Sequence, residues 1–291
     1  MGVGAAAAPV DRSLRGARRL TRHHRSARQL RVPSRPVTGS RPSTATLLRH
    51  AGAELVLTTV LLFGVETAVR WVIGPSPVSE ALGGIHLELV LVGAAVGLVI
   101  YALISSPLGR ASGGHMNPAI SVAMWRYGVF PARSLPPYIA AQLIGSVLGV
   151  GVGRLVWGRA LTTSPVSWAA LQPASSWRWW MFFPAEALTM AVIVFVVGVC
   201  LASPRLSRLV PAVVGLLVGG AIAALGTVTG GSANPARQFG PAVWAGQTHL
   251  LWAYLTAPIV GALVGPAVRD ALQRRRVPTA RLCGEDEDRP S

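Results

Sequence analysis

Two closely similar stretches, GGHMNPAIS at 113–121 and GGSANPARQ at 230–238, constrain this chain more than any other feature. Each follows the second of three long apolar runs. The runs cover about residues 46–70, 87–106 and 135–157 in the first half, and 179–202, 209–228 and 250–271 in the second. Each approaches the roughly 20 residues that a helix needs to cross the hydrocarbon of a bilayer. They are continuously apolar and lack the ten-residue alternation of barrel strands, so they read as helices. The flanks repeat too. AELVLTTVLLF in the first run parallels AEALTMAVIVF in the fourth, and YIAAQLIGSVLG parallels YLTAPIVGALVG. The tyrosines that open the latter pair, Tyr138 and Tyr254, stand 21 and 20 residues past Asn117 and Asn234. Because three is odd, the second half enters from the opposite face. Inverted repeats put the working site near the midplane and build it from interrupted helices. The expected fold is an all-α integral membrane protein with six transmembrane helices and two re-entrant half-helices in an inverted 3+3 repeat.

Composition agrees. The 291 residues are 51% hydrophobic and only 13% charged, against roughly 25% charged in soluble domains. The 32 glycines suit close helix–helix approach. A net charge of +16 invites a nucleic-acid reading, but its distribution argues otherwise. Twenty-two of the 27 basic residues lie in residues 1–50, from Arg269 onward and in the segments joining runs 2–3 and 4–5. Six alternating spans put all of these on one side, and the positive-inside rule makes that side cytoplasmic. The expected organisation is a basic, disordered cytoplasmic tail at 1–44, channel half-repeats at 45–160 and 161–272, and a cytoplasmic tail at 273–291. The tail is expected near anionic lipid rather than nucleic acid. The first 45 residues hold no apolar core of signal-peptide type. The two cysteines, Cys200 and Cys283, fall in a span end and a polar tail, so no disulfide framework is expected.

The repeated box is a helix start. Asparagine is a preferred N-cap, and proline suits the first helical position, where a missing N–H costs nothing. Asn117 then caps a half-helix from Pro118 and Ala119, and Asn234 caps one from Pro235 and Ala236. Each segment is too short to span, so two of them entering from opposite faces meet near the centre. The remaining amide N–H₂ of each asparagine is expected to point outward as a donor. The residues before each box, Gly113, Gly114 and His115 in one and Gly230, Gly231 and Ser232 in the other, are expected to turn backbone carbonyls toward a cavity. Non-helical backbone is tolerated at membrane depth only in such a place. Two helix N-termini bring positive partial charge there, which disfavours cations.

With both Asn-Pro-Ala boxes, the NPAR arginine, the AE openings of spans 1 and 4 and AAQ in span 3, the chain resembles the aquaporins, the major intrinsic protein family, over about residues 45–272. The resemblance implies a passive channel with no cofactor, a homotetramer with one pore per subunit, in the plasma membrane with both termini cytoplasmic. It implies that Arg237 belongs to the outer constriction, with a structural tie to loop carbonyls as the other reading. It also implies that Glu54, Glu186 and Gln142 buttress the re-entrant loops. The family's four filter positions carry over to Arg237, Gly231, Ile222 and Val96. For the last, a strict count back from Asn117 gives Gly97, but the loop SSPLGRASGG is one residue longer than is usual in the family. Water-selective members resemble one another in a large aromatic and a histidine where this chain has Val96 and Ile222, so the constriction is expected to be wider and less polar. Glycerol facilitators typically carry aspartate directly after the arginine; in this chain it is Gln238. The pattern points to water or small uncharged solutes: glycerol, urea or neutral metalloid hydroxides.

Other readings fit parts of the same pattern. An inverted-repeat secondary transporter would also use paired half-helices, and Glu54 and Glu186 could then relay protons. Glu66 and Glu88 are expected at the interface. His115 has no metal-ligating neighbour in sequence, and no nucleophile–base spacing or phosphate loop suggests an enzyme. Neither cysteine is expected to line the constriction.

Overall fold

The structure, a computed structural model, describes residues 1–2 and 43–273. The arginine-rich stretch before Ser43 and the residues after Gln273, Cys283 included, lie outside the described residues. Among the described residues the secondary structure is helical. In chain order the helices are α1 (Thr44–Val72), α2 (Pro77–Ala81), α3 (Ile85–Ser105), α4 (Pro107–Ser112), α5 (Pro118–Arg126), α6 (Leu135–Trp157), α7 (Arg159–Thr162), α8 (Trp179–Leu201), α9 (Val210–Leu225), α10 (Pro235–Ala245) and α11 (Leu251–Gln273). Six of them, α1, α3, α6, α8, α9 and α11, are long and apolar enough to cross a membrane. α9 stops three residues before its apolar run does. There the backbone turns, and the Leu225 carbonyl accepts from the N–H groups of Val228, Thr229 and Gly230.

The repeat is visible in the packing. α1 lies along α6 as α8 lies along α11, and α3 crosses α9 between the two pairs. Small residues set these contacts at matched places. A Cβ on Gly145 or Gly149 of α6 would stand 2.6 Å from the Leu55 or Thr59 carbonyl of α1. In the second half Gly261 and Gly265 of α11 press on the Ala187 and Ala191 carbonyls of α8 in the same way. At the central crossing Gly93 faces Gly219 and Gly97 faces Gly215, backbone against backbone. In lipid, helix association relies on such close packing rather than on a hydrophobic drive. The short helices α5 and α10, nine and eleven residues long, are about 13 and 16 Å at roughly 1.5 Å per residue. Neither spans.

Glu66 is fully buried in α1, and neither carboxylate oxygen has a hydrogen-bond partner among the described residues. The cause lies on α6, where Gly153 has no Cβ. A Cβ there would overlap the Glu66 carboxylate, so the glycine opens the slot that the acid fills. Glu88, by contrast, is half-buried in the first turn of α3.

Candidate functional site: a pore between two half-helices

Each asparagine box starts its half-helix by the same local chemistry. The Asn117 side-chain oxygen accepts from the Ala119 N–H at 2.8 Å, and Pro118 takes the first helical position. The Asn234 oxygen accepts from the N–H groups of Ala236 at 2.9 Å and Arg237 at 3.3 Å, with Pro235 in the first position. The two boxes also hold each other. The Asn117 amide donates to the Ala233 carbonyl, and the Asn234 amide to the Met116 carbonyl, both at 3.0 Å. So one hydrogen of each amide is spent across the repeat, and only the other is left for a passing molecule. That differs from the expectation that the whole N–H₂ group points outward.

The residue before each asparagine has a left-handed backbone, Met116 at φ 48° and Ala233 at φ 44°. Such a conformation is costly without glycine and persists only when surrounding contacts impose it. Two buried acids impose it. Glu54 accepts from the Met116 N–H at 2.7 Å, the His115 N–H at 2.9 Å and the Ser112 hydroxyl at 2.7 Å. Glu186 accepts from the Ala233 N–H at 2.7 Å, the Ser232 N–H at 3.1 Å and the Thr229 hydroxyl at 2.7 Å. Gln142 donates to Glu54 at 2.8 Å and to Ser121 at 3.1 Å. The His115 ring lies against Phe130 and Tyr138, with Nδ1 3.0 Å from the Ser121 hydroxyl. Among the described residues no group of three or more His, Cys, Asp or Glu side chains is placed to hold a metal.

Between the half-helices runs a cavity of about 60 Å³. Asn117, Asn234 and Arg237 line it, as do Val96, Ile222 and Gly231. Gly113, Gly114, His115, Met116 and Ser232 also reach the wall; Gly230 does not. Most of the remaining wall is aliphatic, including Leu61, Ile100, Met190 and Val197. Of Val96 and Gly97, Val96 is on the wall, while Gly97 packs on Gly215. Arg237 both lines the cavity and donates from Nη1 to the Ala169 carbonyl at 2.7 Å. Cys200, buried near the end of α8, is not on the wall.

Several residues that sequence reasoning passed over complete the frame. The hydroxyls of Tyr138 and Tyr254 donate to the Ser112 and Thr229 carbonyls, each at 2.7 Å. Their matched positions are visible in the sequence as a repeat, but their partners are not. The Ser146 hydroxyl joins the Ala236 carbonyl to the Gly240 N–H. Gln238 is fixed to Leu171 and is absent from the cavity wall.

A chain with inverted three-span halves, two half-helices meeting end to end and a narrow cavity between them is a passive transmembrane channel. Comparison with known proteins gives the family. The profile of the major intrinsic protein family matches residues 41–268, and the chain belongs to that family. It is 34% identical over 223 residues to the probable aquaporin NIP7-1 of Arabidopsis thaliana, a match covering 75% of this chain and 74% of that one. It is 36% identical over 236 residues to the probable aquaporin AqpM of Archaeoglobus fulgidus, covering 76% of this chain and 94% of the relative. In fold it is similar to the aquaglyceroporin of Plasmodium falciparum, with a TM-score of 0.64, 22% identity and coverage of 78% of this chain and 96% of the other.

Proposed function

We propose that the chain conducts water and small uncharged solutes such as glycerol, urea or neutral metalloid hydroxides, and excludes ions, with Val96, Ile222, Gly231 and Arg237 as its filter. The observation that carries this reading is the pairing of donors with an otherwise aliphatic wall. One further hydrogen on each of the Asn117 and Asn234 amides, together with the Arg237 guanidinium, offers polar contacts beside that wall. A polyol or urea can exchange its water shell for these and lay its carbon face on the aliphatic side. An ion cannot: a full charge in so apolar a space costs far more than these few dipoles return, and the guanidinium with the two helix N-termini opposes cations.

The filter has no aromatic side chain, which supports passage of solutes larger than water. The relatives' names, aquaporin and aquaglyceroporin, fit the same reading. Glu54, Glu186 and Gln142 act as buttresses rather than as a proton relay: both acids are committed to loop N–H and hydroxyl groups. The protein works without catalysis, as a homotetramer in the plasma membrane. Its tails, 1–44 and 273–291, are cytoplasmic, its halves are 45–160 and 161–272, and Arg237 lies toward the outer face. Stopped-flow light scattering on proteoliposomes, comparing water, glycerol, urea and boric acid, tests it. The expected result is accelerated flux of water and at least one of the solutes over empty vesicles. Water flux alone would overturn the wide-filter reading.

A further inference from the structure

The residue after the pore arginine does not touch the pore. Gln238 is 2% exposed, and its carboxamide is spent on the backbone of a single residue: Oε1 accepts from the Leu171 N–H at 3.0 Å, and Nε2 donates to the Leu171 carbonyl at 2.8 Å. A primary amide is the neutral side chain that matches a backbone N–H and C=O together, because it carries donor and acceptor side by side. Two residues upstream of Leu171 is Ala169, whose carbonyl holds Arg237 at 2.7 Å. The segment between needs such fastening. Ser167, Trp168 and Ala169 have φ of 45°, 62° and 52°, three consecutive left-handed residues without a glycine. Backbone of that kind reverts unless its surroundings hold it. A third contact holds the same segment to α10, where the Trp168 ring stacks on Trp244 with centroids 5.3 Å apart.

We infer that Gln238 is a positioning residue for the pore: by clamping Leu171 it fixes the Ala169 carbonyl, which sets the direction of the Arg237 guanidinium and so the aperture. This rests on the channel reading above. The inference makes the identity of the residue after the arginine a matter of loop geometry. An aspartate there is one methylene shorter and has no N–H to give the Leu171 carbonyl, so it would require a different course for the 167–171 segment.

The test uses full-length protein in proteoliposomes with the number of incorporated channels quantified. Gln238→Glu keeps the shape but removes the donor, and Gln238→Met keeps the length without either polar atom. The expected result is a three- to tenfold change in the per-channel glycerol-to-water flux ratio, the scale of one lost hydrogen bond of about 1 kcal/mol. The same substitutions are then made with Arg237→Val. If Gln238 acts through the arginine, its effect on the ratio disappears in that background, the non-additivity expected of coupled sites. A variant that lowers all fluxes in proportion, leaving the ratio fixed, would mean that Gln238 only supports folding. An effect that persists without Arg237 would equally overturn the inference. Failure of the unsubstituted protein to conduct at all would instead overturn the channel reading.

Discussion

Asn117 and Asn234 each make three commitments with one carboxamide: an oxygen to a half-helix, one hydrogen to the opposite loop and one hydrogen to the cavity. Aspartate keeps the cap but loses both donors, and it aims a carboxylate at the Ala233 or Met116 carbonyl. Replacing both asparagines by aspartate should therefore cut per-channel solute flux at least about tenfold, since unpaired buried acceptors cost ~1–3 kcal/mol each. Normal conduction by the double mutant would remove the boxes from the pore. Glu66 gives an opposite kind of prediction. Its two oxygens are buried without hydrogen-bond partners among the described residues, and removing an unsatisfied polar group is neutral or favourable where the shape is kept. Glu66→Met should leave the detergent-solubilised protein as stable or raise its melting temperature by a few degrees. A clear loss of stability would mean that the carboxyl has an ordered partner, such as a bound water. Both residues bear on what a sequence can reveal. The asparagine caps are local, so Asn-Pro-Ala can be read directly. The burial of Glu66 depends on Gly153, 87 positions away on another helix, and no local pattern announces it.

At the scale of helices, the two halves use one device: a small residue every fourth position along α6 and α11, facing carbonyls of α1 and α8. Spacing of this kind is legible as repeated glycine in GSVLG and GALVG. What it meets is not, because the facing residues, Leu55, Thr59, Ala187 and Ala191, share no common type. Gly145→Ala and Gly261→Ala should each destabilise the protein by about 1–3 kcal/mol, the range for overpacking a tight contact. Gly220→Ala is the control, since a Cβ there meets nothing within 4 Å. Thermal unfolding in detergent reads the difference. Equal midpoints for all three variants would contradict the close-approach account. The left-handed run at Ser167–Ala169 is likewise invisible in sequence. It has no glycine to mark it, and the residues of α10 that hold it and Leu171 come 67 and 68 positions after their partners.

For the molecule as a whole, selectivity is a property of the assembled wall. Val96 comes from α3, Ile222 from α9, and Gly231 and Arg237 from the second box, and only the fold brings the four to one cavity. Three of them follow from fixed spacing to Asn234; the fourth, Val96, follows only when the extra residue in the loop before the first box is allowed for, because a strict count gives Gly97. Val96→Phe with Ile222→His fills the wall with a ring and adds a polar edge. The glycerol-to-water flux ratio should fall by about tenfold or more, as a steric filter would predict, and an unchanged ratio would place the constriction elsewhere. Passive conduction itself is tested most directly by what happens at equilibrium. Proteoliposomes are loaded into radiolabelled glycerol with and without an imposed proton or sodium gradient, and internal glycerol is followed to its plateau. A channel brings the inside to the outside concentration, faster than in empty vesicles and to the same plateau under every gradient. A plateau above the outside concentration when a gradient is present would show coupling, and would contradict a fixed, passive pore between the two half-helices.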